Sequence, residues 1–407
     1  MSHSAAAETV RLVEPTTIPA DRAKNVLRGS EIVAAVAGLL ALAGWALNPS
    51  RFAVSYLTAF CFVAGIAAGA IFWVMAHHVC DAGWSVVVRR LAENIARIAP
   101  WLFLMFIPLI FVMGRLYSWT HPLEEFSGEA RRLLVEKRPW LNQPRFFIFT
   151  ILYLASWTWL ARSLGDLSAR QDQTGDPDLS RRMGKISAGG MFLLAITSTF
   201  AAFDWLMTLD YRWASTIFGV YFWAGSFVSS MAALTLLVVA LRSVGFLSKT
   251  ITAEHLHDLG KLLFGFVIFW AYIAFSQYFL IWYGNLPEET RYFLARRTNE
   301  WNGLSWAVMI GNFPIPFLLL VTRRAKRDPI RLALVSIWLL AFHYLDLYWQ
   351  VMPTLSVETF RPHWLDLATL IALAAVAVRV VAGACLARPL VPVKDPRLAE
   401  SLIFKNV

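Results

Sequence analysis

Ten stretches of the 407-residue chain are apolar for long enough to cross a hydrocarbon core of about 30 Å as a helix. They lie near residues 30–47, 52–79, 98–114, 144–163, 186–207, 217–241, 261–285, 304–322, 330–352 and 364–387. A backbone in lipid must satisfy its own N–H and C=O groups, so each stretch reads as a spanning helix. Composition agrees: 58% of residues are hydrophobic and 16% charged, and the mean hydropathy is +0.55, outside the range of soluble domains. The expectation is an all-α integral membrane protein with ten transmembrane helices. Residues 1–29 are polar and have no apolar core, so they read as a tail and not as a signal peptide. Residues 389–407 read as a second tail.

Lysine and arginine set the orientation. The loops on the side of the two chain ends hold 24 of them and the opposite loops 12, which predicts that both tails are cytoplasmic. The net charge of +10 reflects this asymmetry and an attraction to anionic lipid headgroups, and gives no reason to expect nucleic acid. Cys61, Cys80 and Cys385 are scattered, with no CxxC, CxxCH or cluster-binding series. His77 and His78 lie at one surface and His343 in the other half, too far apart to share a haem iron. No metal and no bound redox cofactor is expected in this chain.

A four-helix offset runs through the sequence. "FVAG" at 62–65 is echoed by "FWAG" at 222–225, and "FDWL" at 203–206 by "FHYL" at 342–345. An even number of crossings gives two copies pointing the same way, as in parallel repeats. The segmentation is therefore a first helix at 30–51, a four-helix bundle at 52–210, a second at 211–353, and a tenth helix within 354–388. The segment "WSVVVRRLAENIAR", 84–97, is too charged to cross and is expected to lie along the cytoplasmic surface. "GNFPIPF" in the eighth span predicts a kink that frees carbonyls around Asn312.

Polar residues inside such helices mark ligand sites or proton routes by default, because an unpaired charge in hydrocarbon is costly. At about 1.5 Å per residue, Asp204, Gln277, His343 and Asp346 all fall in the outer half, with Tyr278 at the same depth. They form a candidate quinone-binding set or outer proton relay. The plainer reading stays open: Asp204 bonding neighbouring helices, and His343 and Asp346 satisfying each other. At the cytoplasmic end, "MAHHVCDAGW" places His77 and His78 four and three residues before Asp81, a candidate proton path or simply a solvated helix end. Ser226, Ser229 and Ser230 suit close packing or a water-filled half-path, and "YFLIWYGNLPEETRYF", 278–293, reads either as an interfacial lid above the outer polar set or as an aromatic girdle followed by a charged loop at Glu288 and Glu289.

"HHVCDAGWSVVVRRLAE", "FDWLMTLDYRWASTIFGVYFWAGSF" and "FSQYFLIWYGNLPEET" together resemble the NrfD-like integral membrane proteins of alternative complex III. The resemblance spans the chain from the first helix to the last. It implies two four-helix bundles with two flanking helices, in the bacterial cytoplasmic membrane. It also implies a complex that oxidises quinol or menaquinol and passes electrons to a cytochrome c or similar acceptor. The expected partners are a multihaem cytochrome c, an iron–sulfur protein and a second NrfD-like chain; the haem c and iron–sulfur centres would lie on such partners. For the chain itself the resemblance implies a quinone-associated or proton-translocating module. A secondary transporter and a catalytically silent scaffold are the alternatives.

Overall fold

The computed structural model describes residues 14–354 and 360–406. Residues 1–13 of the expected N-terminal tail, 355–359 ahead of the last span and Val407 lie outside the described residues. Those described contain fifteen α-helices and no strand. They are α1 (Ala20–Leu47), α2 (Pro49–Val79), α3 (Val86–Ala96), α4 (Leu102–Leu116) and α5 (Gly128–Glu136). Then come α6 (Gln143–Thr174), α7 (Asp178–Trp205), α8 (Phe218–Ser243), α9 (Ala253–Gly284) and α10 (Pro287–Leu294). The chain closes with α11 (Asn299–Asn312), α12 (Pro314–Leu320), α13 (Pro329–Val351), α14 (Trp364–Ala387) and α15 (Leu398–Leu402).

Ten helical segments among the described residues are long and apolar enough to span a membrane. Their starts are written into the sequence. Asn48, Asn142 and Asp328 each accept a backbone N–H of the first turn, and each precedes a proline in that turn, where the missing N–H costs nothing. α2 has 31 residues, about 46 Å at 1.5 Å per residue, so its ends project beyond the hydrocarbon. Below, the end of the molecule where α1 starts and α14 ends is the terminal face and the other the distal face.

The helices pack as two four-membered groups with the same neighbour order. In the first, α2 contacts α4 and α7, and α6 packs on α7. In the second, α8 contacts α9 and α13, and α11 packs on α13. The leading helices α2 and α8 join the groups, and α1 and α14 pair alongside, with α14 seated on α2. Small residues make the α2–α8 approach possible: a β-carbon on Gly65 would stand 2.8 Å from Ser226 Oγ. The hydroxyls of Ser226, Ser229 and Ser230 donate to carbonyls of their own helix, Phe222 O at 2.9 Å, Ser226 O at 3.1 Å and Phe227 O at 3.1 Å. The serines therefore serve a tight seam and not a wet half-path.

α3 departs from expectation. Every one of its residues is buried, so it does not lie free on the membrane surface. The C-terminal segment is folded over it: Arg89 pairs with Asp395, and Ser401 Oγ donates to Trp84 O at 2.6 Å. Arg90 reaches Glu93 at 3.0 Å and Asp172 at 2.7 Å, the latter on α6. Buried charges persist here because each is paired and hydrogen-bonded. The charges that excluded α3 from the hydrocarbon fit a polar plate between the helices and the tail.

The proline break falls where expected, between α11 and α12. The Gly311 carbonyl accepts the Trp338 indole N–H at 2.8 Å, and Asn312 Nδ2 donates to Val308 O at 3.0 Å and Phe342 O at 3.3 Å. A side chain of α13 thus satisfies one carbonyl at the break, and Asn312 ties the broken end of α11 to α13.

Candidate functional site

The five polar residues expected in one outer set belong to four separate environments. Asp204, at the end of α7, is buried in the first bundle. It accepts from Arg145 Nη1 at 2.8 Å and from the Tyr153 phenol at 2.8 Å, both on α6. Arg145 is itself stacked 3.5 Å from the centre of the Trp140 ring. This is a buried, hydrogen-bonded ion pair that links α6 to α7.

His343 lies at the meeting of α2, α8 and α13. Its ring is 5.8 Å from that of Phe62, and it fills the space left by Gly225. It does not bond Asp346, and its Nε2 has no partner among the described residues. Tyr278 sets its ring edge-on to Phe293 at 5.2 Å, on the outer side of α9. One residue along a helix turns the side chain by about 100°, which is why Tyr278 and its neighbour Gln277 diverge.

Asp346 and Gln277 lie in the distal half of the second bundle. The buried Asp346 Oδ1 accepts the Tyr221 phenol at 2.5 Å. Trp270 and Gln350 flank this carboxylate, and the Trp270 Nε1 and Gln350 Oε1 atoms have no hydrogen-bond partner among the described residues. Arg296, also buried, caps the end of α13, donating to Trp349 O at 3.0 Å and Gln350 O at 2.7 Å, with its guanidinium 3.5 Å over the Tyr292 ring. Burial pushes the Tyr292 phenol up to about 12, with Arg296 pulling the other way. Burial also draws the Arg296 guanidinium down from its ordinary 12.5, offset by Tyr292 and Asp210.

Gln277 faces a cavity of about 340 Å³ at the junction of the two bundles. Phe203, Met207, Ile217, Leu280 and Ile281 supply apolar walls, and Ser215, Thr216, Gln277 and Glu289 supply polar atoms. The Gln277 Nε2 is buried with no partner among the described residues. Leu280 on the rim is exposed, so the cavity has a side toward the lipid. Ile217 is one turn before Tyr221, whose N–H bonds the Ile217 carbonyl at 2.9 Å. A single turn of α8 therefore connects the cavity wall to the Tyr221–Asp346 pair.

At the terminal face the expected trio does not assemble. α2 ends at Val79, and Asp81 takes a left-handed backbone with φ of 47°. That breaks the helical spacing to His77 and His78, and turns Asp81 outward to Arg397 Nη1 at 2.6 Å. His77 is buried against Trp84, ring centres 5.6 Å apart, and neither ring nitrogen has a partner among the described residues. His78 is half-buried, and its Nε2 also has none.

Tyr221 and Arg296 are residues that sequence reasoning passed over, and Glu289 one that it left open between a lid and a charged loop. Tyr221 sits one residue before the "FWAG" echo, and Glu289 in the stretch read as a charged loop; α10 instead turns it onto the cavity. Compared with known proteins, the chain matches no family model and no curated protein.

Proposed function

We propose that this chain is a membrane component of a quinol-oxidising electron-transfer complex, and that the distal cavity receives the headgroup of a lipid-soluble quinol. The observation that carries the reading is the cavity itself: about 340 Å³, apolar walls, a side toward lipid, and one buried amide donor, Gln277 Nε2, without a partner among the described residues. A ring with two oxygens and an isoprenoid tail matches that pattern of surfaces.

Oxidation of quinol to quinone breaks two O–H bonds, and two electrons leave for a redox centre on a partner chain. Two protons must be accepted nearby. Glu289 at the cavity is the first acceptor, and Asp346, reached through the Tyr221 phenol one turn of α8 away, is the second. Gln277 holds a quinol oxygen in place. The proposal leaves out His77, His78 and Asp81: Arg397 engages Asp81, and glycine–serine contacts close the α2–α8 seam.

The test is to tag the protein in its native host, extract it in mild detergent, and record its visible spectrum, its co-purifying chains and its labelling by a photoreactive quinone. The expected result is a coloured assembly with haem c and iron–sulfur partners, reduced by quinol, and label on residues 277–289. A colourless chain migrating alone, unlabelled at the cavity, would overturn the proposal.

A further inference from the structure

The terminal end of α9 carries a second group of polar side chains, independent of the distal cavity. The α12–α13 connection, residues 321–328, is seated on the first turns of α9. A β-carbon on Gly260 would stand 2.8 Å from Lys326 Cβ, and Arg327 Nη2 meets Glu254 Oε2 at 2.7 Å. Lys326 turns inward, donating to Leu320 O at 2.8 Å and Val321 O at 2.9 Å. Burial and the nearby Lys261 both lower its ammonium below its ordinary value. This docking leaves Arg323 and Arg324 exposed at the rim, with Arg331 in the first turn of α13.

Between α9 and this connection stands His257, 8% exposed, with an Nδ1 that has no partner among the described residues. Its charged neighbours are Lys261, Arg327, Asp258 and Arg323. The acids of this corner are already engaged: Asp258 with Lys261 at 2.5 Å, Glu254 with Arg327, and Asp328 capping α13. Lys261 also donates to Asn406 of the C-terminal segment at 2.8 Å. Against these three acids stand Lys261, Arg323, Arg324, Lys326, Arg327 and Arg331, a surplus of three positive charges. Immediately toward the membrane, Leu318 is 70% exposed and Val321 is exposed beside it.

We propose that this corner binds the phosphate headgroup of an anionic membrane lipid. His257, Arg323 and Arg324 address the phosphate oxygens, and an acyl chain lies along Leu318 and Val321. Basic recesses between spanning helices are suited to such headgroups, since the phosphate gains paired cations while the tails stay in hydrocarbon.

The test uses the intact protein in nanodiscs of mixed phosphatidylglycerol and phosphatidylcholine, released into a native mass spectrometer. The expected result is one retained phosphatidylglycerol, with the preference reduced about 30-fold in the double variant Arg323→Gln, Arg324→Gln, the worth of two cations at an anionic surface. His257→Phe is expected to weaken retention in the same direction. Arg181→Gln with Arg182→Gln, exposed arginines elsewhere on the same face, is expected to leave retention unchanged. Three results would overturn the proposal: equal retention of the two lipids, an equal loss in the Arg181 and Arg182 control, which would mean diffuse surface charge, or full displacement by inorganic phosphate, which would mean a site for the free anion.

Discussion

Gly225 and His343 are in mutual contact with no room for a methyl group: a β-carbon on the glycine would stand 2.6 Å from the imidazole Cε1. The two residues come from α8 and α13, and both belong to the four-residue echoes that link the halves of the sequence. Gly225→Ala is expected to destabilise the protein by about 1–3 kcal/mol through overpacking. Adding His343→Ala would relieve the clash, so the double variant should be more stable than the sum of the single effects requires. Thermal unfolding of the four proteins in one detergent checks this; strict additivity would mean that the two residues do not touch.

Asp346→Asn keeps the shape of the carboxylate and removes its basicity. On the proposed quinol-oxidising function, turnover in the intact assembly is expected to fall on the order of 100-fold or more, the usual scale for losing a proton acceptor, with the quinol KM little changed. Tyr221→Phe should act in the same direction. Gln277→Leu should instead raise the KM. Steady-state kinetics on purified complexes separate the two patterns.

A different carboxylate holds the flanking helix. Asp366 of α14 pairs with Arg51 of α2, accepts the Ser55 hydroxyl at 2.6 Å and the His363 N–H at 2.8 Å, and so ties both helices at the distal face. Arg51 Nη2 also donates to the Tyr348 phenol on α13 at 2.9 Å. Asp366→Ala would strand a buried guanidinium and is expected to cost about 3–5 kcal/mol. The predicted signature is reduced assembly with normal turnover per assembled complex, read by comparing melting temperature and specific activity.

The C-terminal clasp should respond to acid. Arg397 holds Glu400 below its ordinary carboxylate value of 4.5, with burial opposing. A carboxylate with a depressed folded-state pKa stabilises above its unfolded value and loses that contribution as pH falls through the folded one. Protection of residues 395–406 from hydrogen exchange is therefore expected to weaken below about pH 4.5, and Glu400→Gln should show the weakened protection already at neutral pH. A pH-independent exchange pattern would rule out this pair as the latch.

Asp81→Asn is expected to leave the proton-to-electron ratio of the assembled complex unchanged while loosening the same clasp, because Asp81 faces Arg397 and neither histidine. A lowered ratio in reconstituted vesicles would restore Asp81 to a proton path.

What was legible in the sequence follows from which physical rules act locally. The ten spans were readable because hydrocarbon forbids unsatisfied backbone over a fixed length, and Asn48, Asn142 and Asp328 announce their starts beside prolines. The break at Pro314 was readable for the same reason, although Trp338 as the donor to Gly311 was not. Counting residues along each helix put Asp204, Gln277, His343 and Asp346 in one outer set, but depth carries no azimuth. Which of them share a chamber depends on how α7, α9 and α13 are arranged around α2 and α8, a long-range property. Hence Asp204 was grouped with Asp346 when its partner is Arg145, and Tyr221 went unnoticed because its role exists only opposite α13. α3 misled for a related reason: its charges spoke against lipid, and nothing local to it revealed that Asp172 and Asp395 would cover them.

The pairing of α1 with α14 bears on how the protein is made. α1 emerges from the ribosome before α14, and its principal neighbour is that span, which begins more than 300 residues later. At about 5–20 residues per second, α1 waits roughly 15–60 s in the bilayer with one flank unclaimed. Every incomplete chain, whether stalled or truncated before Trp364, carries that unclaimed flank. Membrane quality control thus has a ready sign of an unfinished product, and only a chain synthesised through α14 removes it.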